Sequence, residues 1–516
     1  MRERFEQGTV GLARFGAAVV LILVFCFLLF LTVCAFLETG DISTNNPAGE
    51  LVELYADNIF LNALVLFIVI VTFYLLYMHS TNFSLWRTEL VLMLVVFVLG
   101  VSFILSVKLA APWYSDSYLV LYAAEKAAIG EYAALDNYFC RFPFQLGYVL
   151  YVEIVFRLMG SLLPGMPAGY YRLALQGVNV LWLLVSYHAL IQISWHLFQS
   201  RRVQKLSAVL LIFCLPPVFT CTFLYGNIPG FALGTVALWM FSAFMGQRRL
   251  WQGLLCALSL GLAVAVKLNL LIFFVAIVIV WLLDLLQNRG FKSVLCLALT
   301  VASVLALSRA PQEIYERRSG KDFGSGIPML AWMAMGVSEG HAGPGWYRED
   351  HTVDFFMESG MDPEATAENA KKVITERFAY FAENPGQGLR FFSEKLRSQW
   401  NEPTYESLWI NQVQQSYGQK GFLYDWFCAS GEGNTTRFMN QYQQFIFLGA
   451  LLSCLFLWNR RDIRQCLPSL IILGGLLYHL LFEAKSQYAL PYFILMVPLA
   501  AYGLCSLFKH AERDTS

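Results

Sequence analysis

The sequence predicts an all-α polytopic membrane protein: about twelve transmembrane helices, two interfacial helices in an early external loop, and a mixed, mainly helical external domain. Three observations predict it. Of 516 residues, 57% are hydrophobic and only 14% charged, against about 25% charged in ordinary soluble proteins. The mean hydropathy is +0.54. Apolar runs long enough to cross a bilayer recur along the chain, and one charged, Gly- and Pro-containing stretch at 309–440 interrupts them. So much apolar surface has to face lipid. That excludes a cytosolic enzyme, a disordered chain and a disulfide-stapled secreted domain.

The first run, 15–37, is too long for a removable signal peptide and lacks a cleavage site, so it reads as a retained span. Further runs lie at 58–79, 89–110, 172–197, 205–222, 229–246, 250–267, 269–286, 292–308, 441–458, 466–483 and 488–507. Lys and Arg in short loops set the orientation. Basic groups mark the N-terminus (Arg2, Arg4, Arg14), the loops at Arg201, Arg202 and Lys205, at Arg248 and Arg249, at Arg289 and Lys292, and at Arg460, Arg461 and Arg464, and the tail at Lys509 and Arg513. The loop 38–57 carries only acids: Glu38, Asp41, Glu50, Glu53 and Asp57. Both termini are therefore expected in the cytoplasm and 309–440 outside.

Parity holds only if 144–159, which contains Glu153 and Arg157, lies in the interface rather than across the bilayer. With 119–129 it makes 111–171 one external loop holding two helices along the membrane. The expected organisation is extra transmembrane helices at 1–88, a core at 89–310 with that loop, an external domain at 311–440, and final spans with a cytoplasmic tail at 441–516. Two amphipathic helices are expected in the external domain, in ATAENAKKVITERFAYFAEN and GLRFFSEKLRSQW. No internal repeat is evident, which disfavours an inverted-repeat transporter.

Net charge is zero, from 36 basic and 36 acidic residues, so no basic excess is available to hold nucleic acid. Eleven cysteines are scattered without a metal-ligand spacing; Cys140 and Cys428, both in exported segments, are the candidates for pairing. The chain has no Walker motif, nucleotide Gly-loop or HExxH, so substrate and energy are not expected from a bound nucleoside triphosphate.

Ionisable groups at the outer ends of spans are the functional candidates. Asp116, in APWYSDSYLVLY, reads either as a helix cap or as a base for an attacking hydroxyl. Lys267, interrupting GLAVAVKLNLLIFF, either snorkels or binds a phosphate carried by a lipid. Arg141, in DNYFCRFPFQLG, suits bidentate phosphate recognition or headgroup anchoring. Lys485 and Tyr488, in FEAKSQYALPYF, stand at the start of the last span, where a Tyr also serves the interfacial belt. Asn227 marks a tight external turn in FLYGNIPG, and Trp400 with Asn401 and Glu402 offers aromatic and amide groups to a sugar or forms ordinary helix and loop surface. Glu339, His341, Asp350, His351 and Asp354 cluster at spacings that match no strong metal pattern and read as a solvated loop.

The order of these segments resembles the GT-C type of membrane glycosyltransferase, which includes protein O-mannosyltransferases and the bacterial aminoarabinose transferase. The resemblance runs through the acidic residue of the early loop, AAEKAAIGEY, RFPFQLGYVLYVEIVFRLMG, YYRLALQGVNVLWLLVSY, AVAVKLNLL and SQYALPYF. It covers about 89–310 and 441–507, and FEAKSQYALPYF and QWNEPTYESLW look like bacterial members of the class. The chain departs from the family in two extra early spans, in a single acid rather than an Asp-Glu pair at the loop start, and in Gln487, where many members have Arg.

The resemblance implies a GT-C-like fold and transfer of a sugar from a polyprenyl-phosphate donor to a cell-envelope acceptor (glycan, lipid or protein) on the outer face. It also implies inversion, with Asp116 as general base, Lys267, Arg141 and Lys485 on the donor phosphate, and Tyr488, Asn227 and Trp400 toward acceptor or sugar. It implies no cofactor firmly and leaves the metal requirement open, a divalent cation being one possibility. Three other readings stay open: a cell-envelope polysaccharide polymerase or ligase, a lipid-glycan flippase or other transporter, and a non-catalytic membrane scaffold or sensor. Oligomeric state is not legible in the sequence.

Overall fold

The computed structural model describes residues 2–42, 50–109, 116–165, 168–288, 290–414, 416 and 418–514. Among these, nine helices are long and apolar enough to cross a membrane: Thr9–Leu37, Ile59–His79, Leu85–Val107, Gly169–Phe198, Asn227–Gln247, Leu268–Gln287, Phe291–Ser319, Glu432–Trp458 and Ser486–Ala511. Leu250–Val266 and Leu467–Leu481 are shorter apolar helices. The chain is a polytopic helical membrane protein.

The expected span at 205–222 is broken. Helix Arg201–Ile212 ends, and a five-residue helix, Pro216–Thr220, follows it. Pro216 and Pro217 explain the break: neither has an N–H for the helical ladder, and both are tolerated in a first turn, where that N–H has no partner anyway. Hydropathy alone counts the apolar residues and overlooks the two rings.

The two helices of the early loop form Asp116–Ala128 and Leu146–Leu162. They share a core separate from the main bundle, with Val120, Leu121 and Ala124 against Leu146, Val149 and Val152. Glu125, Glu153 and Arg157 on these helices are all paired. Fully buried Glu153 accepts from Tyr315 Oη at 2.5 Å, Arg157 Nε at 2.7 Å and Arg318 Nη1 at 3.0 Å. Arg172 binds Glu125 through two bonds of 2.6 and 2.9 Å, tying the first helix to the span Gly169–Phe198. The acid that looked costly in lipid is thus enclosed by protein.

Close helix approach depends on glycine. A Cβ on Gly147 would stand 1.7 Å from Ala265 O, and one on Gly503 would stand 2.1 Å from Gly449 O. Ala265 lies two residues before Lys267. Gly147→Ala is therefore expected to push Leu146–Leu162 off the end of Leu250–Val266. Membrane extraction should yield protein with a thermal midpoint lowered by several degrees, since overpacking costs about 1–3 kcal/mol. Wild-type melting would show that the backbone gives way freely.

The 311–440 segment is mostly helical, with the expected amphipathic helices at Pro363–Glu383 and Pro385–Trp400. It is anchored to both ends of the chain. Fully buried Lys395 donates to Gly336 O at 2.5 Å, Phe482 O at 2.7 Å and Leu480 O at 3.1 Å, serving the carbonyls at the end of Leu467–Leu481. Arg397 pairs with Glu38, and Gly40 N donates to Asn401 O at 3.2 Å. Glu38–Ile42 and Val52–Ala56 pair as antiparallel strands, and Glu38 and Gly40 carry these contacts to the segment. Cys140 and Cys428, the candidates for pairing, are both free.

Candidate functional site

Several helix ends converge where the early loop meets the 221–227 turn. Asp116 opens its helix; among the described residues its carboxylate accepts from Tyr225 Oη at 2.8 Å rather than from an N–H of its own first turn. The structure therefore gives the side chain a tertiary contact in place of the capping bond that local sequence suggested. Ser117 Oγ donates to Leu224 O at 2.9 Å and pins the two segments together. The preceding residues 110–115, including Ser115 of the expected cap, lie outside the described residues.

Tyr225 is the centre of the cluster. Its hydroxyl donates to Asp116 and accepts from Gln145 Nε2. Lys267 Nζ lies 4.3 Å from the centre of the Tyr225 ring and 5.8 Å from that of Tyr488. An acid and a cation thus flank one buried aromatic ring, whose face attracts the ammonium. Burial and the Asp116 charge hold the Tyr225 and Tyr138 hydroxyls well above the usual phenol range, so both stay protonated at neutral pH. The Tyr138 hydroxyl is buried beside both Asp116 and the Tyr225 hydroxyl.

Gly226 has φ 81°, a left-handed turn that a side chain rarely adopts, and it starts the helix Asn227–Gln247 directly beside Tyr225. Asn227 Nδ2 donates to Gln487 Oε1 at 2.9 Å, and Gln487 Nε2 donates to Glu406 Oε2 at 2.9 Å. Asn227 is thus more than a turn residue: it joins two chain segments at the site. Gln487, standing where the resemblance has Arg, bridges an amide and a buried acid.

The other candidates divide. Arg141 ends the short helix Asn137–Arg141; it is half-buried, and its Nε has no partner among the described residues. It shares an electrostatic neighbour with Asp116: Tyr347, whose hydroxyl is pushed up by burial, Glu349, Glu483 and Asp116, and down by Arg141. Tyr488 Oη donates to Glu483 Oε2 at 3.3 Å. Lys485 is within electrostatic reach of Lys267, but its Nζ is engaged by Glu50 Oε1 at 2.5 Å. Trp400 is fully buried, its ring edge-on to Phe27 at 5.0 Å and near Tyr492 at 5.8 Å, so it has no surface to offer a sugar. The sequence marked it as aromatic but could not show that the first span covers it.

Beside Gln487 lies a set of buried acids that the sequence did not single out as a group. Glu402 accepts from Thr404 N and Glu406 N, both at 2.7 Å, and from Ser486 Oγ at 2.8 Å. Burial pushes its carboxyl up to about 7, and burial raises Glu406 and Glu483 as well, against the Lys485 charge. A carboxyl group raised on folding binds its proton more tightly in the folded chain. Its stabilisation is full below the ordinary Glu range and is lost as pH rises through the folded value. Lys395, pulled down to about 7 by burial, acts only above that. The thermal midpoint is therefore expected to fall between about pH 5 and about pH 8, and Glu406→Gln should flatten the upper part of the fall. A pH-independent midpoint in the wild type would contradict this reading.

The described residues contain no group of three or more His, Cys, Asp or Glu side chains able to hold a metal ion. In the Glu339–Asp354 stretch, Asp350 pairs with Arg348. No chemical step is routed through a divalent cation.

No protein-family model matches the chain, and no curated protein matches it. Among solved structures it is similar to the archaeal oligosaccharyltransferase AglB from Archaeoglobus fulgidus in complex with an inhibitory peptide and a dolichol-phosphate. That similarity has 12% identity and a TM-score of 0.41, and covers 83% of this chain and 51% of that one. The apo form of the Archaeoglobus fulgidus oligosaccharyltransferase gives 11% identity and a TM-score of 0.39, covering 83% of this chain and 52% of that one. The chain spans about half the length of these structures.

Proposed function

We propose that the chain is a membrane glycosyltransferase of the GT-C type. It moves a sugar from a polyprenyl-phosphate donor to a cell-envelope acceptor on the external face, with inversion. One observation carries the reading: Asp116 and Lys267, from segments about 150 residues apart, meet at Tyr225, one on its hydroxyl and the other over its ring, where the helix ends converge. That is the pairing an inverting transfer from a lipid phosphate needs, and the order of the sequence motifs supports it.

Asp116 takes the proton of the acceptor hydroxyl as its oxygen bonds to the anomeric carbon. The bond from that carbon to the phosphate oxygen breaks on the opposite face, and the polyprenyl phosphate leaves with the electron pair. A single displacement inverts the centre. Lys267, with Arg141 behind it, offsets the charge that grows on the departing phosphate. Tyr225 positions both groups, and Asn227, Gln487 and Tyr488 line the adjoining wall. The aromatic-rich helices of the early loop flank the lipid tail, and the 311–440 segment faces the acceptor.

The test is transfer in proteoliposomes. Radiolabelled polyprenyl-phosphate sugars are offered with a cell-envelope extract, with and without chelator. Label passing to the acceptor supports the proposal, and the chelator lane decides the metal requirement. Label that stays on the lipid and changes leaflet would replace the proposal with transport, and chain growth on a lipid-linked glycan would replace it with a polymerase.

A further inference from the structure

The end of the bundle opposite Asp116 carries a second polar site, independent of the transferase reading. There the start of the first helix, the end of Leu268–Gln287 and the turn at 459–464 border an open surface hollow of about 190 Å³. Arg14, Arg460, Arg461 and Arg464 line it. Arg14, Arg460 and Arg461 also line an adjoining hollow of about 320 Å³.

The acids at the hollow are already matched. Asp284 is gripped by Arg248 through bonds of 2.7 and 2.6 Å, and Asp462 accepts from Arg464 N at 3.0 Å and Nε at 3.3 Å. Among the described residues, neither Arg14 nor Arg460 pairs with a carboxylate. Arg461 is held in place: its Nε donates to Trp458 O at 3.2 Å, and its guanidinium lies 4.2 Å from the Trp458 ring. Its backbone is left-handed, φ 47°, in the turn that ends Glu432–Trp458, where its N donates to Leu457 O at 2.9 Å.

Guanidinium groups gathered from the two ends of the chain repel one another until an anion joins them. Their planar forks match a phosphate ester. Three apolar membrane-length helices, Thr9–Leu37, Leu268–Gln287 and Glu432–Trp458, end around the hollow, and an indole at such an end sits at headgroup level. We infer that this hollow binds a phosphate ester, presented as the headgroup of an anionic phospholipid.

The test uses the full-length protein in zwitterionic detergent. Phosphatidylglycerol, phosphatidylcholine of the same chain length and inorganic phosphate are titrated separately, read by native mass spectrometry and by thermal midpoint. Phosphatidylglycerol is expected to stay bound and raise the midpoint, phosphatidylcholine to do neither, and inorganic phosphate to compete. Combining Arg14→Gln, Arg460→Gln and Arg461→Gln should weaken phosphatidylglycerol binding by about a hundredfold, each arginine contributing about fivefold. Arg249→Gln, at another basic loop, should leave it unchanged. If the glutamine set is unstable without lipid, the matching lysine set, which keeps charge but loses the fork, carries the comparison and should bind more weakly than wild type. Equal binding by the triple variant and wild type would overturn the inference, as would an equal loss in Arg249→Gln. Phosphate binding without preference for phosphatidylglycerol would keep the anion site and overturn the lipid source.

Discussion

Asp116→Asn is expected to slow sugar transfer by about a hundred- to ten-thousand-fold, the usual contribution of a general base. Asparagine keeps the shape and still accepts the hydrogen bond that Tyr225 donates at 2.8 Å. Folding, yield and donor binding should therefore match wild type, and the loss should appear in kcat. Transfer is measured in proteoliposomes with the donor that wild type uses. Wild-type kcat in Asp116→Asn would remove the base from this position even if the chain proves to be a transferase. Tyr225→Phe, which deletes the bond to Asp116 while keeping the ring under Lys267, should give a smaller loss. An equal loss would mean that the phenol itself takes part in the chemistry.

Lys267→Met should cost about a hundred- to thousandfold in kcat, comparable to removing one preorganised group that stabilises developing charge. Methionine preserves the stem against Tyr225 and Tyr488 but carries no charge. Lys267→Arg should recover part of the rate, because charge is restored with altered geometry. The thermal midpoint should not fall with Lys267→Met, since removing a largely enclosed charge relieves desolvation. A fall in midpoint with unchanged kcat would make Lys267 a structural residue. Lys485→Met is the internal control. Its ammonium is engaged by Glu50 at 2.5 Å, so its loss should act on stability and on the pH profile rather than on kcat.

Much of the architecture is legible in the sequence because it rests on local properties. A run such as 15–37 is apolar enough to be a span whatever surrounds it, and the amphipathic helices of the 311–440 segment show their period directly. The helices of the early loop are legible for the same reason. The break in 205–222 was also present in the residues, as Pro216-Pro217, but a hydropathy sum does not register a missing N–H.

The site is legible only in part. Loop charges placed Asp116, Asn227, Lys267 and Tyr488 at the same end of the bundle, and in the structure they gather around Tyr225 and Gln487. Nothing local marked Tyr225 as the bridge, because its role comes from neighbours at Asp116, Gln145 and Lys267. Glu406 was equally hidden: its partners, Ser486 and Gln487, lie about 80 residues away.

By itself, then, the sequence determined the membrane class, the placement of most helices and the set of ionisable groups at the helix ends, since each follows from composition or short-range pattern. Only the tertiary structure decided which of those groups act together. It buried Trp400 between Phe27 and Tyr492, gave Lys485 to Glu50, set Lys267 over Tyr225, and brought the backbone of Gly147 against Ala265. The physical reason is that a side chain's partners are fixed by close packing between helices distant in the chain, and hydropathy carries no information about which helix faces which.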